Sequence, residues 1–437
     1  MKKATLAKNL YHKLESLPHV AVGARFTVSE LLGGRAFVTP VELWCENPRV
    51  KRALCAHGVP SQELSRASDY ERLEELLDTA RGAVGSTLLA DLASDLAAIT
   101  GDASLIGRDV DEIWRGAFTC LAKNGLTPGT LLSQHRAALV NIPLEEWCGV
   151  SRLGGDLLPL PALDASVCAH HPQFQQSVAA LSDATGMPVA DLKGFETALC
   201  KLLGKFAAAG APAVCIDLSH LAVFERPDPY HAGQIFETAL AGKGAALSSS
   251  DRALFSAQIL RTLGRTMRAL KLRLVMRVCP KTEHVWGLFS AAAFEKLLAY
   301  LDEREALVPT LLSLRAGEIP AGLVRLLGRF ADAAGKPRLY FGIEGAGAGS
   351  AELTRSLRYY LRHGAAPLLL GLTDDERGFF TTPVRDRFCR VLATELADFA
   401  ARDAITPEGD ALFSEQDLVL AASDILFGNA AAFFGIE

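Results

Sequence analysis

Short apolar runs alternate with helical patterns along most of this chain of 437 residues. A run such as Ala213–Asp217 is too short for a helix, and the stretches between such runs carry apolar residues three or four positions apart. Strands that alternate with helices pair in parallel, because a crossover helix returns the chain to the edge of the sheet where it started. The alternation therefore predicts a distorted (β/α)8 barrel, an α/β fold with its helices outside the strands.

The predicted strands are apolar and bounded by Gly, Pro or charged residues. They are His19–Val22, Ala137–Asn141, Leu157–Pro161, Ala213–Asp217, Leu272–Cys279, Leu307–Leu314, Arg338–Gly342 and Leu368–Leu372. Helices are predicted over residues 3–17 and after Ser68, Ser248 and Ser414, since a serine hydroxyl can accept a hydrogen bond from a free amide at a helix start. The last helix is predicted to dock on the outside of the barrel through Leu418, Leu420, Ile425 and Phe427.

About a hundred mostly helical residues separate the first predicted strand from the second, which is too long for a simple crossover. We predict residues 1–26 as the first helix and strand, 27–135 as a helical insertion over the barrel mouth, 136–405 as the rest of the barrel, and 406–437 as a C-terminal helix packed on it.

Composition narrows the function classes. Hydrophobic residues make up 49% of the chain, the net charge is -5, and basic residues do not cluster, which argues against nucleic-acid binding. The nine cysteines form no Cys-x-x-Cys motif, and an odd number predicts a reduced, cytoplasmic setting. No signal peptide and no apolar run of about 18 residues is evident, so no membrane association is expected.

The stretch Leu368–Arg390 points to a site. Its apolar run ends in Thr373-Asp374-Asp375-Glu376, a Pro-broken loop follows, and a helix opens near Arg385. Barrel strands deliver side chains to their C-terminal mouth in this way, and that mouth is where barrel enzymes place their chemistry. We therefore expect functional side chains directly after strand eight.

This stretch also resembles a known family. Gly371 to Asp374, then Arg377 and Phe379, then Arg387 to Arg390 resemble the last strand and loop of the uronate (glucuronate) isomerases. These are metal-dependent (β/α)8 barrels of the amidohydrolase superfamily that convert glucuronate to fructuronate. The resemblance runs nearly end to end, and it implies the helical insertion after strand one.

The family's metal ligands are not retained where the resemblance places them. Its His-x-His on strand one falls on Gly23 and Arg25, and a histidine near the end of strand five falls on Arg277. Glycine offers no side chain and a guanidinium has no lone pair, so neither can bind a metal. Asp217 stands near a strand-four histidine of the family. Asp374 (or Asp375) and Arg377 survive as candidate catalytic residues.

Two interpretations of the mouth remain open. Arg25 and Arg277 could pair with Asp217 and Asp374 as a structural cluster, or the arginines, with Arg377, could bind an anion such as a sugar acid. The resemblance and the replaced ligands together predict a degenerate, metal-free uronate isomerase with no cofactor. The alternative is an active isomerase with a rearranged metal site. A homo-oligomer is expected in either case.

The remaining histidines, the glycine-rich run and Cys279 are predicted to have structural roles and not to form a catalytic or binding site. His170 and His171 are predicted in a solvated loop, and His220 and His231 flank a loop after strand four. The glycines of Gly345 to Gly349 lack the Lys-Ser/Thr ending of a phosphate loop. Cys279 has no predictable histidine beside it, so a buried inert thiol is the favoured interpretation.

Overall fold

The computed structural model describes most of the chain. The described residues are 3–24, 26–45, 48–56, 58–60, 67–82, 87–102, 104–105, 108–133, 135–147, 153, 156–219, 221–278, 289–317, 322–326, 329–345, 348–373, 381–402 and 412–436.

Eight parallel strands close into a barrel in sequence order, with β1 pairing to both β2 and β8. The predicted (β/α)8 fold class is confirmed. The strands are β1 Val20–Ala24, β2 Ala137–Pro143, β3 Leu157–Ala162, β4 Ala213–Asp217, β5 Arg273–Arg277, β6 Thr310–Arg315, β7 Leu339–Glu344 and β8 Leu369–Thr373.

Helices surround the barrel and fill the connection between β1 and β2. They are α1 Lys3–Leu14, α2 Val28–Gly33, α3 Pro40–Trp44, α4 Pro48–Ala56, α5 Asp69–Gly82, α6 Thr87–Thr100, α7 Val110–Asn124, α8 Pro128–Leu132, α9 Asp164–Val167, α10 Phe174–Thr185, α11 Leu192–Ala208, α12 Pro229–Leu240, α13 Ser249–Leu270, α14 Ala291–Glu303, α15 Ser350–Arg362, α16 Thr381–Arg402, α17 Glu415–Ser423 and α18 Asn429–Phe434.

The predicted serine caps are present. Ser248 and Asp251 form a reciprocal capping box at the start of α13, and Ser414 and Asp417 do the same at α17. At α5 the hydroxyl of Ser68 accepts a hydrogen bond from the backbone N–H of Glu71. Each box satisfies amides that would otherwise lack an acceptor in the first helical turn, which explains why these helices begin where they do.

Large aromatic side chains close the N-terminal end of the barrel. Phe433 and Phe434 pack with Val20, Tyr340 and other early strand residues, and the ring centroids of Tyr340 and Phe433 are 4.8 Å apart. The Arg273 guanidinium lies 5.9 Å from the centre of the Phe433 ring. Burying a phenylalanine contributes roughly 1.5–3 kcal/mol, so this contact holds the C-terminal helix against the barrel.

The docking surface of that last helix differs from the prediction at one residue. Leu418 and Ile425 are buried and Phe427 is half-buried, but Leu420 is 58% exposed. Leu420 lies two residues beyond Leu418, about 200° around the helix, and therefore faces away from the barrel. A π-helical turn, Asp424–Gly428, then joins α17 to α18.

One helical stretch among the described residues, Glu415–Phe434, is long and apolar enough to cross a membrane by length and composition alone. The core helix of a globular protein passes the same test. Here the stretch supplies Phe433 and Phe434 to the barrel end, which explains its apolar composition.

A buried ion pair links the helical segment between β1 and β2 to a helix on the outside of the barrel. Asp91 of α6 is fully buried and accepts a hydrogen bond from the guanidinium of Arg387 on α16. A second guanidinium nitrogen of Arg387 donates to the backbone carbonyl of Ala348 at 2.8 Å. Arg387 belongs to the run that resembles the uronate isomerases, and in this structure it positions the helices that precede β2.

Candidate functional site

Arg277 is the last residue of β5, and its side chain points into the C-terminal mouth of the barrel. Only 9% of the residue is exposed. Its Nη2 donates to Oδ2 of Asp164 at 2.6 Å. A guanidinium this deeply buried requires a charged partner, since an unpaired one would cost several kcal/mol. The Arg277–Asp164 pair is therefore the central feature of the mouth.

Asp164 connects three neighbouring strand ends. It is the first residue of α9, directly after β3, and its Oδ1 accepts a hydrogen bond from the backbone N–H of Asp217 at 2.7 Å. One oxygen thus binds the end of β4 while the other binds Arg277 of β5. Asp164 was not among the predicted site residues. Its one local signal is an acidic residue three positions after a predicted strand, where barrel strands present side chains to the mouth.

Asp217 is the last residue of β4 and lies opposite Arg277 in the register of β4 and β5. Its carboxylate accepts a hydrogen bond from the backbone N–H of Ser219 at 2.9 Å. Its backbone carbonyl accepts a weak hydrogen bond from the Cys168 thiol at 3.7 Å. Asp217 therefore shapes the turn after β4, and the salt bridge described for Arg277 is the one with Asp164.

A small cavity of about 20 Å³ lies beside Arg277. A space of this size holds about one water molecule. The hydroxyl groups of Ser313 and Thr373 are hydrogen-bonded to each other across it at 2.6 Å. Its polar and small lining residues are Gly23, Asn141, Arg277, Ser313, Glu344 and Thr373, and Val22, Leu160, Cys215 and Val275 complete its lining.

Gly23 lines this cavity at a break in the regular pairing of β1. Its φ is 95°, and the register between β1 and β2 shifts between Val22 and Ala24. A side chain other than glycine would be strained in this conformation by about 1–3 kcal/mol. Gly23 and Arg277, two positions where the resemblance implies metal-binding histidines, therefore line one cavity.

Three predicted site residues, Arg25, Asp374 and Arg377, lie outside the described residues, and their roles stay predictions. His220 and Cys279 also lie outside them. His231 is half exposed and pairs with Asp251 at 3.1 Å, away from the mouth cavity. His170 and His171 lie in a loop, as predicted, but both are half-buried, and the ring of His171 accepts a hydrogen bond from the backbone N–H of Gln173.

The described mouth residues do not fit the divalent metal that the resemblance implies. Gly23 has no donor atom, and Arg277 carries a positive charge and no lone pair. Among the carboxylates at the mouth, that of Asp164 binds the guanidinium, that of Asp217 binds a backbone amide, and that of Glu344 lines the cavity beside Arg277. Within the part of the chain that the structure describes, no group of three His, Cys, Asp or Glu side chains could hold a metal ion.

A second cluster of titratable groups lies where β1 and β2 begin. The rings of His19 and His135 are buried and hydrogen-bonded to each other through Nε2 and Nδ1. Burial, followed by the charge of His135 and that of Arg385, lowers the pKa of His19 to about 2. Burial and the charge of Arg385 lower the pKa of His135 to about 4. Both rings are therefore neutral at pH 7.

Comparison with known proteins places this barrel in a family. A family model described as glucuronate isomerase matches residues 1–289. A uronate isomerase from Streptococcus equi subsp. equi is 24% identical over 254 residues, which are 55% of this chain and 54% of that relative. The sequence match thus spans about half the length of the curated relatives.

Solved structures agree over almost the whole chain. A uronate isomerase from Thermotoga maritima superposes with a TM-score of 0.80 at 17% identity, covering 98% of this chain and 97% of that one. A glucuronate isomerase from Caulobacter crescentus gives a TM-score of 0.79 at 16% identity, covering 100% and 95%. Identities this low show a common fold, and the match of the family model over residues 1–289 shows the kinship. This chain therefore belongs to the glucuronate isomerase family.

Proposed function

We propose that this family member does not carry out a metal-dependent isomerisation of glucuronate. We further propose that its barrel mouth binds an anionic small molecule, such as a sugar acid, through Arg277. The observation that carries the proposal is the Arg277–Asp164 ion pair, which stands where the resemblance implies a metal-binding histidine.

Electrostatics support the first part. At 4 Å and an effective dielectric constant of 20, a divalent cation and a guanidinium repel each other by about 8 kcal/mol. The attraction of the same cation to the Asp164 carboxylate is of similar size, so the pair offers almost no net attraction. Without a metal to act as a Lewis acid, the isomerisation loses the group that would orient and polarise the sugar carbonyl.

The chemistry of arginine supports the second part. A guanidinium matches the planar geometry of a carboxylate and stays charged at every physiological pH. Asn141 and Ser313 add polar groups beside Arg277. Because the cavity measures about 20 Å³, only one carboxylate oxygen of a sugar acid would fit beside Arg277. The rest of such a ligand would lie further towards solvent.

Two measurements on the purified protein test the proposal. After chelation and reloading with Zn²⁺ or Mn²⁺, we expect no conversion of glucuronate above the uncatalysed rate. By isothermal titration calorimetry we expect heat of binding with glucuronate and none with Arg277→Met. The control is Arg226→Met, which removes an exposed arginine paired with Glu303 and should leave binding unchanged. Metal-dependent turnover would overturn the first part and establish the alternative, an active isomerase with a rearranged site.

A further inference from the structure

In the Arg277–Asp164 ion pair, the Asp164 carboxylate lies where it would compete with a ligand carboxylate for the guanidinium. Resting on the proposed function, we propose that Asp164 occupies the position of the ligand carboxylate at Arg277 and sets the affinity of the site. A ligand carboxylate and the Asp164 carboxylate carry the same charge and accept from the same guanidinium. They therefore repel each other when both approach this guanidinium, whose Nη2 donates to Asp164 at 2.6 Å.

The two carboxylate oxygens of Asp164 have different partners, so that one hydrogen bond can be broken while the other is kept. Oδ1 accepts from the backbone N–H of Asp217, a group fixed at the end of β4. Oδ2 accepts from Arg277 alone among the hydrogen bonds described for it. A ligand carboxylate can replace Oδ2 at the guanidinium while Asp164 retains its bond to the strand.

The surroundings restrict this exchange to side-chain movement. The backbone of α9 is anchored because the hydroxyls of Ser166 and Ser177 bond to each other at 2.5 Å, and because Ser256 donates to the Val167 carbonyl at 3.0 Å. The side chain of Asp164 is 22% exposed and that of Arg277 is 11% exposed. Asp164 is thus the partner with access to solvent, and it is the one that a ligand would displace.

The test is the substitution Asp164→Asn, which removes the charge and keeps the shape. An asparagine oxygen can still accept from the Asp217 amide, but its NH₂ group cannot accept from Arg277. The hydrogen bond from Nη2 to Asp164 is then lost, and the like charge that repels the ligand carboxylate is removed. A hydrogen bond to a charged group contributes enough for about a tenfold to hundredfold gain in affinity for glucuronate.

Calorimetry with glucuronate, and with glucose as a probe lacking the carboxylate, compares the wild type with Asp164→Asn. Asp164→Ser provides a second variant that removes the charge, and near-ultraviolet circular dichroism checks that each variant folds. The gain should be absent for glucose and should vanish in the double variant Asp164→Asn with Arg277→Met. The matched control is Asp302→Asn, which removes an Asp–Arg pair with Arg338 elsewhere in the chain and should give no gain.

The outcomes separate the two proposals. Equal affinity of glucuronate for the wild type and both Asp164 variants would overturn the competitor role and leave the proposed anion site standing. A gain that persists without Arg277 would also overturn it. Binding in no form of the protein would remove the anion site itself. Tighter binding in both Asp164 variants, with or without detectable binding to the wild type, supports the inference.

Discussion

Lowering the pH from 7 to 5 should destabilise this protein through the buried His19–His135 pair. The pKa of His19 is lowered to about 2 and that of His135 to about 4, chiefly by burial. An unfolded histidine titrates near pH 6.5. Below that pH the unfolded chain therefore binds more protons than the folded chain, and stability is lost as the pH falls. The stabilisation is fully present only above about pH 6.5.

The size of the effect follows from the proton uptake. Between pH 7 and pH 5 one histidine that titrates only in the unfolded state lowers the free energy of unfolding by about 2 kcal/mol. Two such histidines give about 4 kcal/mol, a large fraction of the roughly 5–15 kcal/mol that stabilises a domain. Carboxyl groups with a lowered pKa, such as that of Asp398 hydrogen-bonded to Lys3, lose their stabilisation mainly near and below about pH 4. They therefore contribute little in this window.

Urea denaturation at pH 7, 6 and 5 measures the effect. The double variant His19→Asn with His135→Asn should be less stable at pH 7 but should lose much less free energy on acidification. The control His363→Asn changes an exposed histidine and should retain the wild-type pH dependence. A wild-type change below about 1 kcal/mol, or equal slopes for wild type and double variant, would refute the reasoning.

Two further predictions concern stability: one tests a buried ion pair and the other tests packing around a glycine. Arg387→Met should lower the free energy of unfolding by about 3–5 kcal/mol, because the fully buried carboxylate of Asp91 loses its guanidinium partner. Arg387→Lys retains the charge and should lose less stability. An equal loss in both variants would argue against the ion pair. Gly264→Ala should cost about 1–3 kcal/mol or more, since its Cβ would lie 1.9 Å from the Ala306 carbonyl oxygen. Gly204→Ala, a helical position with open space around it, should stabilise by about 1 kcal/mol, and similar effects at both glycines would contradict the packing argument.

Much of the fold was predictable because it depends on local patterns. The bounds of β4, Ala213–Asp217, are those predicted, and β5 begins one residue later than predicted. The spacing of apolar residues within about ten positions is enough to predict a strand and its flanking helix. The error at Leu420 arose because it was included in the docking face although it lies two residues from Leu418.

The candidate site was only half predictable. Asp217 ended a predicted strand and Arg277 was picked out by the family resemblance, and the structure places the two opposite each other at the ends of β4 and β5. Asp164 was missed because it follows a weak strand rich in proline, and its partner Arg277 lies 113 residues away. Nothing within a short window of sequence marks one aspartate among many as the partner of a distant arginine.

The sequence by itself determined the barrel class, the order of its strands, the capped helix starts, and the absence of histidines at Gly23 and Arg277. These follow from residue spacing and side-chain chemistry, which need no knowledge of distant contacts. Only the tertiary structure decided that Asp164 binds Arg277, that His19 meets His135, and that Phe433 closes the barrel. Each of these pairs residues far apart in the chain, and closing eight strands into one ring is what brings them within contact distance.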